Sequence, residues 1–265
     1  MEEAGVKIED VGLEKTVDLI NLCIPPEKKE DSSFLGGTRA KKRWADQLIG
    51  KYGSIAKLAY FESKPVGVIQ YLPKTDERLV EIMCIFVPEG KNRRRGVGKS
   101  LLRSLIEDMN EPKSYFGNKS PLALITFAFQ VSGIYPQHEF YERMGFKRIE
   151  EKNPFLLYYP MEEGFVYLPK KKSYIPQEED RSKALIFINP SCPFCIYFSE
   201  KIKESILGIA PGIPTRLING FEEYEEVEKR GAVSFCIVNQ RPIESFILDK
   251  ENFQSEVRDA LKSGH

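Results

Sequence analysis

The chain has 265 residues, 42% of them hydrophobic and 29% charged, which is enough apolar material for a core in each of two domains. Thirty-nine basic residues balance thirty-nine acidic ones, so nothing in the bulk charge calls for a long nucleic-acid partner. No apolar run approaches the ~20 residues of a membrane helix, and the acidic start at Met1–Glu9 is unlike a secretory signal. A cytoplasmic location is the default expectation. Five cysteines without regular spacing argue against a disulfide scaffold.

In chain order, Val6–Val11 reads as a strand and Leu13–Ile24 as a helix stopped by Pro25–Pro26. Ala40, Trp44 and Leu48 recur every four residues and predict a helix over Arg39–Lys51. The polar, glycine-containing stretch Pro25–Thr38 is expected to border a substrate pocket. Three strands follow at Ala56–Glu62, Pro65–Leu72 and Leu79–Val87. Gly98–Asn110 is the clearest helix, with Val97, Leu101, Leu105 and Met109 on one stripe. Leu122–Phe129 is an apolar strand and Glu139–Met144 a short helix closed by Gly145. Lys147–Tyr159 returns as one or two strands. From Pro160 to Lys183, three prolines, a lysine triplet and an acidic cluster suit a linker. Its Phe165–Leu168 stretch suggests partial packing on a neighbour. Beyond it, Ala184–Asn189, Cys195–Leu207, Arg216–Asn219, Glu222–Arg230, Val233–Val238, Ile243–Leu248 and Asn252–Lys262 read as strand-helix-strand-helix-strand-strand-helix. That order implies a mixed four-stranded sheet covered by helices. The expected division is 1–160, a linker at 161–183, and 184–265.

The sharpest local feature is the run from Ile85 to Ser100, which holds five cations; a strand enters a loop, and Gly96 and Gly98 follow the arginines where an amphipathic helix starts. Free amides and partial positive charge at a helix start bind anions, and glycine admits a bulky anion close to the backbone. The plainer reading is a basic surface loop. The glycine and lysine spacing fits neither a P-loop nor a Rossmann fingerprint.

Arg93-x-x-Gly96-x-Gly98, between strand and helix, resembles the coenzyme A pyrophosphate motif of the GNAT acetyltransferases. Phe140-Tyr141-Glu142-Arg143-Met144-Gly145-Phe146, about 45 residues on, resembles that family's Tyr-x-x-x-Gly-Phe segment. The element order of residues 1–160 also fits. The resemblance implies an α/β fold with a mixed sheet flanked by helices, acetyl-CoA as cosubstrate, and acetyl transfer to an amine of a small molecule or peptide. The implied coenzyme contacts are Ile85, Phe86, Val87, Arg93, Arg94, Arg95, Gly96, Val97, Gly98, Lys99 and Ser100. Tyr141 is implied as the acid that protonates the departing thiolate; otherwise it is a buried aromatic at a helix end. Glu81, the one carboxylate in the strand Leu79–Val87, is the candidate base, or else a solvent-facing strand residue. Departures are a loop longer by a residue or two, and Ile134 and Gln137 in place of the customary asparagine and alanine. Cys23 and Cys84 read as core residues.

Cys192-Pro193-Phe194-Cys195 lies between a buried strand and a helix, where the dipole favours thiolate. The second half resembles the thioredoxin core, and the whole chain resembles proteins with a GNAT domain followed by a YoaP-like domain. A redox dithiol, a soft-metal site and a purely structural turn all remain open for the pair. Val233 stands where redox relatives carry a proline, and Cys236 is either a third thiol or core. Two local ligands are too few for structural zinc, so no structural zinc site is expected.

Overall fold

In a computed structural model, the described residues are 5–128, 135–170 and 172–262. They form two compact units, one of residues 1–23 and 45–169, the other of 24–44 and 170–265. Among the described residues no helix is long and apolar enough to cross a membrane.

The first unit is built on a seven-stranded sheet. Its strands are β1 (Lys7–Asp10), β2 (Ala56–Phe61), β3 (Lys64–Lys74), β4 (Leu79–Phe86), β5 (Ala123–Phe127), β6 (Lys147–Glu150) and β7 (Asn153–Pro160). Their order is β1-β2-β3-β4-β5-β7-β6. Every pairing is antiparallel except β4 with β5. That parallel pair requires a crossover, supplied by helix α3 (Val97–Met109). The apolar stripe of α3, Val97, Leu101, Leu102, Leu105 and Met109, is buried with Val80 and Ile82 of β4 and Leu124 of β5. The opposite face of the sheet buries Leu79, Ala123, Ile125 and Tyr158. The remaining helices of this unit are α1 (Thr16–Asn21) and α4 (Gln137–Arg143).

Helix α2 (Ser32–Tyr52) starts seven residues before the predicted Arg39. Sequence spacing missed these two turns because Gly36 and Gly37 interrupt the pattern. The expected pocket-lining loop at Pro25–Thr38 is therefore helical from Ser32 onward, and residues 24–44 count with the second unit. The linker is also shorter than expected, since residues 161–169 count with the first unit. Phe165 and Tyr167 pack against the Tyr158 cluster while Val166 and Leu168 are exposed, an alternating edge that buries every second side chain.

The second unit contains β8 (Ala184–Ile188), α5 (Phe194–Ile209), β9 (Thr215–Asn219), α6 (Tyr224–Glu228), β10 (Cys236–Val238), β11 (Arg241–Ile243) and α7 (Lys250–Lys262). The element order is the predicted one. The sheet order is β11-β10-β8-β9, with β8 and β9 parallel and the other pairs antiparallel. Ile202 and Ile206 of α5 and Phe253 and Val257 of α7 share one core with Ile186 and Val238.

Candidate functional site

The parallel ladder between β4 and β5 is short. It runs from Leu79 opposite Ala123 to Ile82 opposite Thr126 and stops there, although β4 continues to Phe86. The cause is visible one residue on. The β3–β4 register shifts between Gln70–Cys84 and Tyr71–Ile82, which leaves Met83 as the extra residue of a bulge. A bulge bends its strand and ends regular pairing. It also breaks the alternation of faces, so Ile82 and Ile85, three apart, both lie in the α3 core. The C-terminal part of β4, with Ile85 and Phe86, is thereby released from β5. The strand ends at Phe86, and Val87 packs beside the core as the first loop residue.

The loop then makes a single 3-10 turn at Gly90–Asn92. Arg93 does not reach outward. Its Nε and Nη2 donate to the carbonyls of Val87 and Pro88 at 3.0 and 2.9 Å, tying the loop to the end of the strand. Arg94 and Arg95 are exposed and make no ion pair among the described residues. Arg94 at φ +59° and Gly96 at φ +84° reverse the chain. Gly96 is the N-cap of α3 in the left-handed conformation that glycine adopts without strain. No side chain caps the helix and its first turn carries no carboxylate. Ser100 N–H is taken by the Gly96 carbonyl, and Ser100 Oγ, although buried, has no hydrogen-bond partner among the described residues. The first amides of α3, those of Val97, Gly98 and Lys99, thus stand at a turn that no side chain caps and no carboxylate shares, close in sequence to exposed Arg94 and Arg95. A Cβ on Gly98 would meet Ile85 and Phe140 only at 3.8 Å, so the protein's own packing does not demand glycine there.

One residue that supports this turn escaped the sequence reading. A Cβ on Gly67 of β3 would lie 2.8 Å from Val97 Cγ1 and 3.1 Å from Leu101 Cδ1. Gly67 lets the start of α3 settle against β3. Only its place in an otherwise β-branched strand hinted at a close backbone approach.

Tyr141 of α4 is 1% exposed and packs its ring 5.0 Å from Phe146 and 5.4 Å from Phe140. Burial pushes its phenol well above the ordinary value, while a hydrogen bond with Thr126 partly opposes this. Thr126 Oγ1 in turn donates to the Ile82 carbonyl at 3.1 Å. The hydroxyl of Tyr141 therefore connects, through Thr126, to the last paired residue of β4. The sequence reading missed Thr126, whose importance comes from strand pairing alone. Gln137, the first residue of α4, donates from Nε2 to the Ile85 carbonyl at 3.5 Å. Ile134 lies outside the described residues.

Glu81 shares the face of Leu79 and Ile125, away from α3. Its Oε2 lies 3.2 Å from Lys74 Nζ, the diagonal neighbour on β3, and the carboxylate is about one-third exposed. Burial works against the Lys74 charge, but Glu81 and Glu77 more than offset it and hold the ammonium above its ordinary value. Burial likewise raises nearby Tyr167, helped by the Glu77 and Glu81 charges. Glu81 thus stands in a partly open site shared with a lysine.

In the second unit, Cys192 is exposed and immediately precedes Pro193, the N-cap of α5, whereas Cys195 is half-buried in the first turn. Neither is in a disulfide. Burial, with Cys192 adding to it, pushes the Cys195 thiol up to about 12, opposed by backbone amides and Lys41. Cys236 is buried in the β10 core and pushed up to about 12 mainly by burial, so it belongs to the packing. Val233 packs with Leu185, Ile218 and Ile237. Among the described residues no group of three or more His, Cys, Asp or Glu could hold a metal.

The first unit thus combines a parallel strand pair parted by a bulge with a basic loop and an uncapped helix. Residues 54–148 match the family model described as an acetyltransferase (GNAT) domain, just over a third of the chain. That segment is thus similar to a GNAT acetyltransferase domain. No curated protein matches it. Among solved structures it is similar to the PaiA N-acetyltransferase of Thermoplasma acidophilum in complex with coenzyme A, at 15% identity and TM-score 0.43, covering 59% of this chain and 99% of that one. It is also similar to a GNAT-family acetyltransferase from Staphylococcus aureus Mu50, at 16% identity and TM-score 0.42, covering 60% and 100%. A third is a GNAT-family acetyltransferase from Brucella melitensis in complex with acetyl-CoA, at 13% identity and TM-score 0.40, covering 63% and 93%.

Proposed function

We propose that the first unit is an acyl-coenzyme A-dependent N-acetyltransferase that moves an acetyl group from acetyl-CoA to an amine of a small molecule or peptide. The observation that carries this reading is the uncapped start of α3 behind left-handed Gly96, beside the point where β4 parts from β5. In this reading the diphosphate of acetyl-CoA accepts hydrogen bonds from the amides of Val97, Gly98 and Lys99 and from Ser100. Arg94 and Arg95 supply countercharge, and Arg93 holds the loop in shape. The released end of β4, Ile85 and Phe86, together with adjoining Val87, faces the acyl arm, where a main-chain amide stabilises the oxyanion. Glu81 accepts the proton of the attacking amine, directly or through water. Tyr141, kept protonated by its burial, gives its proton to the departing sulfur and takes one back from solvent after the products leave.

Titration calorimetry with coenzyme A and thiol release from acetyl-CoA in the presence of an amine library test the proposal. Binding that weakens in Arg95→Ala, and turnover lost in Tyr141→Phe, are expected. A protein that gives no heat with coenzyme A overturns it.

A second reading concerns the other unit, for which we infer a thioredoxin-like, YoaP-like fold carrying a redox-active dithiol. The strand order β11-β10-β8-β9 and the exposed–enclosed pairing of Cys192 and Cys195 at the start of α5 support it. Acetyl transfer that survives Cys192→Ser separates the two activities.

A further inference from the structure

The second unit contains a segment from far away in the sequence, residues 24–44, and it lies on the Cys192–Cys195 turn. A Cβ on Gly37 of α2 would fall 2.0 Å from the Pro193 carbonyl oxygen and 2.8 Å from its carbon, a collision with backbone that has no side chain to move aside. A Cβ on Gly36 would meet Ile196 Cγ2 at 3.5 Å. One turn earlier, Phe34, 1% exposed, packs its ring 4.8 Å from Phe194 and 5.3 Å from Tyr197. One turn later, on the face of Gly37, stands Lys41, whose side chain is buried although it carries an ammonium group. The Gly36–Gly37 pair thus forms a notch that seats α2 against the turn between the two thiols, and the same face delivers a cation to that turn.

We propose that Lys41 is a positioning residue of the dithiol: its ammonium stabilises the thiolate of enclosed Cys195 and so speeds the resolving step of thiol–disulfide exchange. The proposal rests on the dithiol reading above. The titratable side chains acting on Cys195 are Cys192 from its own turn and Lys41 from α2, and they act in opposite directions. An exposed Cys192 needs no such help. A half-buried Cys195 does, because it must lose its proton before it can attack.

The reaction balances with a small disulfide as oxidant. The Cys192 thiolate attacks one sulfur of glutathione disulfide, that S–S bond breaks, and one glutathione leaves as thiolate and is protonated by water. Cys195 then yields its proton to solvent and attacks Cys192 Sγ. The second glutathione leaves, and the Cys192–Cys195 disulfide forms. The dithiol loses two electrons and two protons, and glutathione disulfide becomes two thiols. Lys41 takes no part in the bond changes.

The test is acid-quenched intact-mass spectrometry of the full chain reacting with glutathione disulfide. It follows first the mixed disulfide and then its conversion to the internal disulfide. In wild type the mixed species is expected to be transient, and in Cys195→Ser it is expected to persist. In Lys41→Met the ratio of the second rate to the first should fall several-fold, and the pH profile of the second step should move to higher pH. Lys41→Arg keeps the charge and should retain the wild-type ratio. A Lys41→Met protein that melts like wild type and resolves the mixed disulfide equally fast overturns the role of Lys41 and leaves the dithiol intact. A wild-type protein that never forms the internal disulfide overturns the dithiol reading itself. Should Lys41→Met not fold, Gly37→Ala separates α2 from the turn without altering charge, and an unchanged ratio there overturns the proposal.

Discussion

Gly67→Ala isolates the link between sheet packing and the anion-binding turn. The new methyl group would begin 2.8 Å from Val97 Cγ1, and the shortest ordinary contact is 3.4 Å, so Val97 or β3 must retreat by about 0.6 Å. Leu101 Cδ1 and Val87 Cγ2, at 3.1 and 3.3 Å, close the other directions of escape. Both valines are short and stiff at χ1, so the shift passes to the backbone of α3. Overpacking of this kind costs about 1–3 kcal/mol, and each kcal/mol lowers Tm by about 2–4 °C in a domain of this size. Val97 lies in the first turn of α3, so coenzyme A should also bind several-fold more weakly. The measurements are thermal unfolding by circular dichroism and titration calorimetry with coenzyme A. Gly50→Ala is the control. Gly50 is exposed in α2 with nothing within 4 Å of its would-be Cβ, and the change should stabilise by roughly 0.5–1 kcal/mol through helix propensity. A Gly67→Ala protein with unchanged Tm and unchanged coenzyme affinity would refute the argument that Gly67 seats α3.

Arg95→Ala should weaken coenzyme A binding without a change in Tm, whereas Arg93→Ala should lower both, because Arg93 ties the loop to the Val87 and Pro88 carbonyls; calorimetry alongside melting distinguishes the two. Arg230→Met should destabilise the second unit by about 3–5 kcal/mol, because buried Asp180, held by two guanidinium hydrogen bonds of 2.6 and 2.7 Å, would lose its countercharge; chemical denaturation reads the loss, and Arg230→Met combined with Asp180→Leu should recover much of it. Burial opposes the charge of Glu256, yet hydrogen bonds donated by the Ser245 hydroxyl and the amides of Ser245 and Glu244 outweigh it and hold its folded pKa below the ordinary 4.5. Its contribution to stability is then complete above about pH 4.5 and is lost as pH falls through the lower folded value, so the Tm gap between wild type and Glu256→Gln should be constant near neutrality and narrow on acidification.

Residues that act through their neighbours in the chain were legible without coordinates. The period of Val97, Leu101 and Leu105, the glycines after three arginines, and the cysteine pair between strand and helix are all local patterns. They placed the start of α3 and the elements of the second unit to within a few residues, except that β11 at Arg241–Ile243 lies earlier than the expected Ile243–Leu248, because helix and strand periodicity follow from the geometry of successive backbone units. Tertiary structure alone decided what depends on pairing across the chain. The Met83 bulge, which parts β4 from β5, exists only relative to the register of β3. Thr126 became the neighbour of Tyr141 through strand order, and Gly67 acquired its purpose only once α3 lay upon it. The two glycines in residues 32–44 read as part of a polar stretch bordering a pocket, yet they form the notch of a helix that belongs with a turn some 155 residues later. Sequence spacing reports which face a residue occupies, and contact between distant faces is set by the packing of whole elements.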